Sequence, residues 1–176
     1  LGEVLGDVRT LAQAVDAKDA GVDLVQAAAA RIDRVRLAMR AVEPVPVAAL
    51  EWLDPVFAAG HWTPQLIEYA GGIDVLGLAG EHSEQVTWKQ VAAARPEVIV
   101  AMPCGYDAER ARQEATTYAD ELAEVGAARV VAVDAAAYFS RPGPRLVDGL
   151  ELLAHILHPE HAEQIPVRSQ AVPVLV

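Results

Sequence analysis

At 176 residues the chain is long enough to bury a single core without staples, and its lone cysteine, Cys104, excludes an internal disulfide. A net charge of −11 argues against a nucleic-acid backbone or an anionic bilayer as partner, because either would repel such a surface. The hydrophobic fraction of 53% is inflated by alanine, and no apolar run approaches the roughly 20 residues of a spanning helix.

In chain order, Leu1 to Val15 carries apolar residues at helical spacing, and Asp16 to Gly21 offers a break. A second stripe through Val22, Val25, Ala29, Ile32, Val35 and Met39 predicts a long amphipathic helix, ended by Glu43-Pro44-Val45-Pro46. Val47 to Leu53 then reads as a strand. Asp54-Pro55 predicts an extended turn, and Thr63-Pro64 an N-cap followed by a first-turn proline, opening a short helix that Gly71-Gly72 stops. Residues 71–83 read as glycine-punctuated loop. Thr87 caps a short helix closed by Pro96, and Val98 to Met102 is an apolar run of buried-strand type. A charged helix is expected from Asp107 to Val125, then a strand at Arg129 to Asp134, an aromatic loop at 138–145, and a helix from Gly143 to Leu157. The tail is aperiodic; Ala171 to Val176 could add an edge strand, with Pro173 against a central position. Strands separated by helices predict an α/β three-layer sandwich with a mainly parallel sheet.

Three strand-to-helix loops hold aromatic residues in a chain that is only 5% aromatic. Ligands of open α/β sheets sit outside the carboxyl ends of the strands, so Phe57, His61, Trp62, Tyr106, Tyr138 and Phe139 are candidate ligand contacts, with Ser83 and Arg141 beside them. Trp52, inside the strand run, is expected in the core. Arg141 and Arg145 could meet an anionic ligand group or pair with Asp134 or Asp148. His61 could offer an imidazole to a bound metal chelate or donate to ligand amides. The spacing of His155, His158 and His161 is interrupted by Pro159, so no three-histidine metal site is expected and a capping or solvated role is read instead. Cys104 lacks any companion nucleophile pattern and is read as a small packed side chain.

The Ala-Gly-Gly at 70–72, the strand entry Arg-Pro-Glu-Val-Ile-Val at 95–100 and the run Tyr-Phe-Ser-Arg-Pro-Gly-Pro-Arg-Leu-Val-Asp-Gly at 138–149 resemble the substrate-binding proteins of ABC importers for cobalamin and iron-siderophores, most closely the cobalamin-binding subgroup. The resemblance runs from about residue 3 to residue 158. It implies residues 1–43 as the end of an amino-terminal lobe plus an interlobe backbone helix, 44–160 as the carboxy-terminal ligand-binding lobe, and 161–176 as a tail. It implies, too, an extracytoplasmic protein, without an export signal in these residues, that captures a corrinoid and delivers it to a permease without making or breaking bonds. The missing lobe or a second copy would complete the cleft. No cofactor and no protein-held metal is implied. The family's permease-docking acid would fall where this chain has Trp88-Lys89-Gln90, a departure that leaves Glu81 or Glu84 as substitutes, with Glu68 a further candidate. A ferric siderophore or haem is the alternative ligand. An α/β enzyme using Cys104 or His61, or a module that self-associates through the long helix, is the alternative from another class.

Overall fold

The computed structural model describes residues 1–168 and 170–175. Helices α1 (Gly2–Ala14) and α2 (Lys18–Met39) pack together where Gly21 meets Ala12; a Cβ on Gly21 would stand 2.3 Å from the alanine methyl. The buried stripe of α2, Val25, Ala28, Ile32, Val35 and Met39, follows the three-and-four spacing of the sequence.

Strand β1 (Val45–Leu53) turns at a cis Asp54-Pro55 bond into β2 (Val56–Ala58), its antiparallel partner. Next come α3 (Thr63–Tyr69), β3 (Gly72–Asp74), β4 (Glu84–Gln85), α4 (Trp88–Ala94) and β5 (Val98–Ala101). Helices α5 (Ala108–Thr116) and α6 (Ala119–Val125), strand β6 (Arg129–Ala132), helices α7 (Ala135–Tyr138), α8 (Leu146–Leu157) and α9 (Pro159–Ala162), and strand β7 (Val172–Pro173) complete the order. The sheet runs β4-β2-β1-β5-β6-β7, with β3 paired to β1. Its centre, β3, β1, β5 and β6, is parallel; β2, β4 and β7 are antiparallel margins.

Strand alternation divides the core into two layers. Val47, Ala49, Val98 and Val100 pack with the buried faces of α2, α3 and α8, whereas Ala48, Leu50, Ile99 and Ala101 pack with α4, α5 and α6. Both faces are covered, which makes this an α/β three-layer sandwich. Within α8, Leu150 and Leu153 are fully buried, each contributing about 1.5 to 3 kcal/mol of hydrophobic transfer. No helix among the described residues is long and apolar enough to cross a membrane.

Several local expectations are corrected. The 107–125 helix is two helices, because Thr116 and Thr117 turn their hydroxyls back on the carbonyls of Arg112 and Glu114 at the break. Residues 72–74, read as loop, pair in parallel with β1. Thr63 is the first helical residue of α3 and is buried; the N-cap is Trp62, whose side chain makes no capping bond. Tyr138 ends a short helix capped by Asp134, whose carboxylate accepts from the Ala137 amide, and α8 begins only after the Pro142-Gly143-Pro144 turn. Thr87 does cap α4, in a full capping box with Gln90. Val172 and Pro173 form the expected edge strand against β6, while Val176 lies outside the described residues.

Candidate ligand-binding cleft

A cleft of about 190 Å³ opens at the carboxyl ends of the parallel strands. Glu51 near the end of β1, Met102 and Cys104 after β5, Phe139 and Ser140 beyond β6, and His61 and Trp62 from the loop before α3 line it. A second, shallower hollow of about 500 Å³ shares His61 and Trp62 and continues over Glu3, Asp7 and Gln65. No lysine or arginine lines either hollow among the described residues.

The loop before α3 is fixed by its neighbour, the strap at residues 77–83. Gly60 lies so close to the strap that a Cβ there would meet Glu81 O, His82 C and Ser83 N at 2.6 Å. The Gly60 amide donates to Ser83 Oγ at 3.2 Å, the His61 amide to Glu81 O at 2.6 Å, and the Gly80 amide to His61 O at 2.8 Å. These bonds hold His61 at φ +56°, a left-handed conformation that a non-glycine residue adopts only when its surroundings impose it. The exposed His61 ring then stands 5.2 Å, centroid to centroid and edge-on, from His82 and 5.7 Å from Trp62.

At the root of the strap, Asp74 Oδ1 accepts the amides of Leu76 and Gly77 at 3.0 and 2.8 Å, while Oδ2 is buried without a partner. Burial pushes the Asp74 pKa above the ordinary carboxylate value, and the two amides only partly offset it.

Of the residues picked from sequence, the fold brings His61, Trp62 and Phe139 together in the cleft. Phe139 is 5% exposed, its ring seated against Gly149, so it walls the cleft from within the core. Phe57 sits on β2 opposite Trp52, and Tyr106 packs with the α4–α6 layer, its ring 5.6 Å from Trp52 and under the Arg110 guanidinium. Trp52 is accordingly half-buried at that surface rather than in the core. Tyr138 is half-buried against the α2–α8 layer, and Arg141 is exposed outside the lining. Ser83 touches Gly60 from behind the loop. Glu81, Glu84, Glu68 and Lys89 are all exposed.

Sequence reasoning missed Glu51, Met102 and Ser140. Glu51 and Met102 lie in or just after apolar strand runs, where nothing local marks which residue turns to the mouth. Cys104, read as packed, is exposed at the rim. Asp134 and Asp148 are engaged elsewhere than with Arg141 or Arg145: the first caps α7 and the second pairs with Arg31 and Arg168. Of His155, His158 and His161, the first two are held by backbone carbonyls, whereas His161 is exposed. The buried His158 ring bonds Gly71 O at 2.9 Å and His155 bonds Ile165 O at 2.7 Å.

Comparison with known proteins agrees with this geometry. The family model described as periplasmic binding protein matches residues 2–133. Curated proteins give no match. Among solved structures, the chain is similar to the periplasmic heme-binding protein of Roseiflexus sp. RS-1 in apo form, at TM-score 0.67 and 23% identity over 90% of this chain and 62% of that one. It is similar to the periplasmic vitamin B12 binding protein of Vibrio cholerae, at TM-score 0.73 and 20% identity over 92% and 62%. A third is the ABC-type Fe3+-hydroxamate transport system of Saccharomonospora viridis, at TM-score 0.69 and 23% identity over 86% and 53%. The chain thus spans less than two thirds of the length of each. With three quarters of its residues matched by the family model, the chain belongs to the periplasmic binding protein family.

Proposed function

We propose that this chain forms one wall of the cleft of an extracytoplasmic ABC-importer binding protein, and that its ligand is a corrinoid passed on to a permease. The observation that carries the reading is the cleft itself: a Trp62 and Phe139 wall at the strand ends with Glu51, Glu3 and Asp7 around it and no lysine or arginine in the lining. Flat apolar walls suit a macrocycle, and carboxylates accept hydrogen bonds from a neutral, amide-rimmed ligand while repelling an anionic one. The cleft of about 190 Å³ and the hollow of about 500 Å³ beside it are recesses open on one side, whereas a complete small-molecule site encloses most of its ligand. A second wall, from another lobe or a second copy, would complete it, consistent with the backbone-helix, ligand-lobe and tail division at residues 43 and 160. Glu81 and Glu84, both exposed on the strap side, are the proposed permease contacts.

A haem or ferric siderophore is the second reading, favoured by His61: a rim imidazole held in a fixed backbone conformation can fill an open axial position on a metal. The family is one of substrate-binding proteins rather than enzymes, and the rings beside His61 are those of Trp62 and His82.

Absorbance titrations with aquocobalamin, haem and a ferric siderophore, run side by side with size measurement, test the proposal. Aquocobalamin should bind best of the three, weakly, and more tightly when a second lobe is supplied. Affinity tighter than about 1 μM for a strictly monomeric chain would overturn the half-cleft reading, and a preference for haem would move the ligand to the second reading.

A further inference from the structure

Four rim segments surround the cleft, and each is tied to the next. The strap is bound to the 59–62 loop through Ser83, Glu81 and Gly80, as described. That loop is bound to the 139–145 segment by the Trp62 indole N–H, which donates to Phe139 O at 2.8 Å. The 139–145 segment is bound to the 103–106 loop by the Gly105 amide, which donates to Ser140 Oγ at 3.1 Å. Finally, the Cys104 amide donates to Glu51 O at 3.1 Å and returns the belt to β1.

Trp62 is the central link. Among the described residues, its indole makes the only side-chain hydrogen bond between the 59–62 loop and the 139–145 segment. Its anchor is seated in the core, because Phe139 is buried and its ring lies 2.8 Å from where a Gly149 Cβ would stand. The indole has one donor and it is already committed, so what Trp62 offers a ligand is its ring face. We infer that Trp62 is a positioning residue: its N–H fastens the exposed rim to the core and sets the cleft width before any ligand arrives, with Ser140 extending the same restraint to the 103–106 loop. A site held open in its bound shape loses less conformational entropy on binding. The inference rests on the cleft being the ligand site, and its test separates the two.

Trp62→Phe keeps a ring and removes the donor; Ser140→Ala removes an acceptor that Ser140→Thr restores. Hydrogen exchange is measured first, without ligand. Amides of the 59–62 and 139–145 segments should exchange about two- to tenfold faster in Trp62→Phe, the span of one net hydrogen bond. Aquocobalamin binding is then followed by stopped-flow absorbance. Loss of a pre-set shape lowers the population competent to bind, so association should slow, by at most that factor, while dissociation is unchanged, and Ser140→Thr should recover what Ser140→Ala loses. Unchanged exchange in Trp62→Phe overturns the inference, as does faster dissociation with association intact, which would make the indole a direct ligand donor. Exchange that rises in a protein binding no chelate keeps the positioning role and removes the proposed ligand.

Discussion

Replacing Arg31 by methionine tests what holds the long helix α2 to the body of the fold. Arg31 Nε donates to Glu151 Oε1 at 2.8 Å, and its Nη2 bridges Glu151 Oε2 and Asp148 Oδ1. The Glu151 side chain is 1% exposed, so without Arg31 a carboxylate is buried with no counter-charge. Breaking a buried pair from one side costs about 3 to 5 kcal/mol. Arg31 itself is 26% exposed and Asp148 keeps Arg168 at 3.4 Å, both of which place the loss at the lower end, about 3 kcal/mol. For a domain stable by roughly 5 to 15 kcal/mol that is a large fraction. Replacing both Arg31 and Glu151 by methionine removes the charge as well as its partner, and should return stability to within about 1 kcal/mol of the parent. Urea unfolding followed by circular dichroism, compared at constant slope, reads all three proteins. A double variant no more stable than Arg31→Met would show that the cost lies in lost packing rather than in a stranded charge, and the reasoning would fail.

Gly60→Ala should lift the strap, because all three atoms within 2.6 Å of the new methyl are backbone; a loss of about 1 to 3 kcal/mol and faster proteolysis within 77–83 are expected, and an unchanged melting temperature would contradict it. Asp74→Asn should be neutral or stabilising at pH 7. The raised pKa of Asp74 means that its contribution is fully present below the ordinary carboxylate value and is lost as pH rises through the raised one, so the advantage of asparagine should fade on acidification. A difference in melting temperature that is independent of pH would refute this. Thr87→Ala removes the capping box of α4 and should cost about 1 kcal/mol in chemical unfolding, with ligand binding unaffected.

What could be read from the sequence was local. Thr87 and Gln90 are three residues apart and announce their helix start unaided, and the buried stripe of α2 is carried by its spacing alone. The parallel sheet followed from the apolar runs separated by helices. Strands β2 and β3, three residues each, are too short to show a period and exist because β1 offers them an edge. Phe139 looked like a rim ring because its loop is polar and proline-rich; its burial depends on Gly149, ten residues on, leaving room for it. Arg31 and Glu151 are 120 residues apart, and Trp62 and Phe139 are 77 apart. No window of sequence joins them.

Strand β1 devotes one whole side to β5 but splits the other, its first residues meeting β3 and its last meeting β2. Everything between those two short strands, including His61, Trp62 and α3, therefore departs from and rejoins the same flank of a single strand. It is one excursion, rooted in the core by Leu66, Ile67 and Ala70 but exposed at its outer turn around His61. Insertions or exchanges there can reshape the mouth while the pairing of β1 with β5 and of β5 with β6 stays as it is, so new ligand preferences could arise without refounding the scaffold.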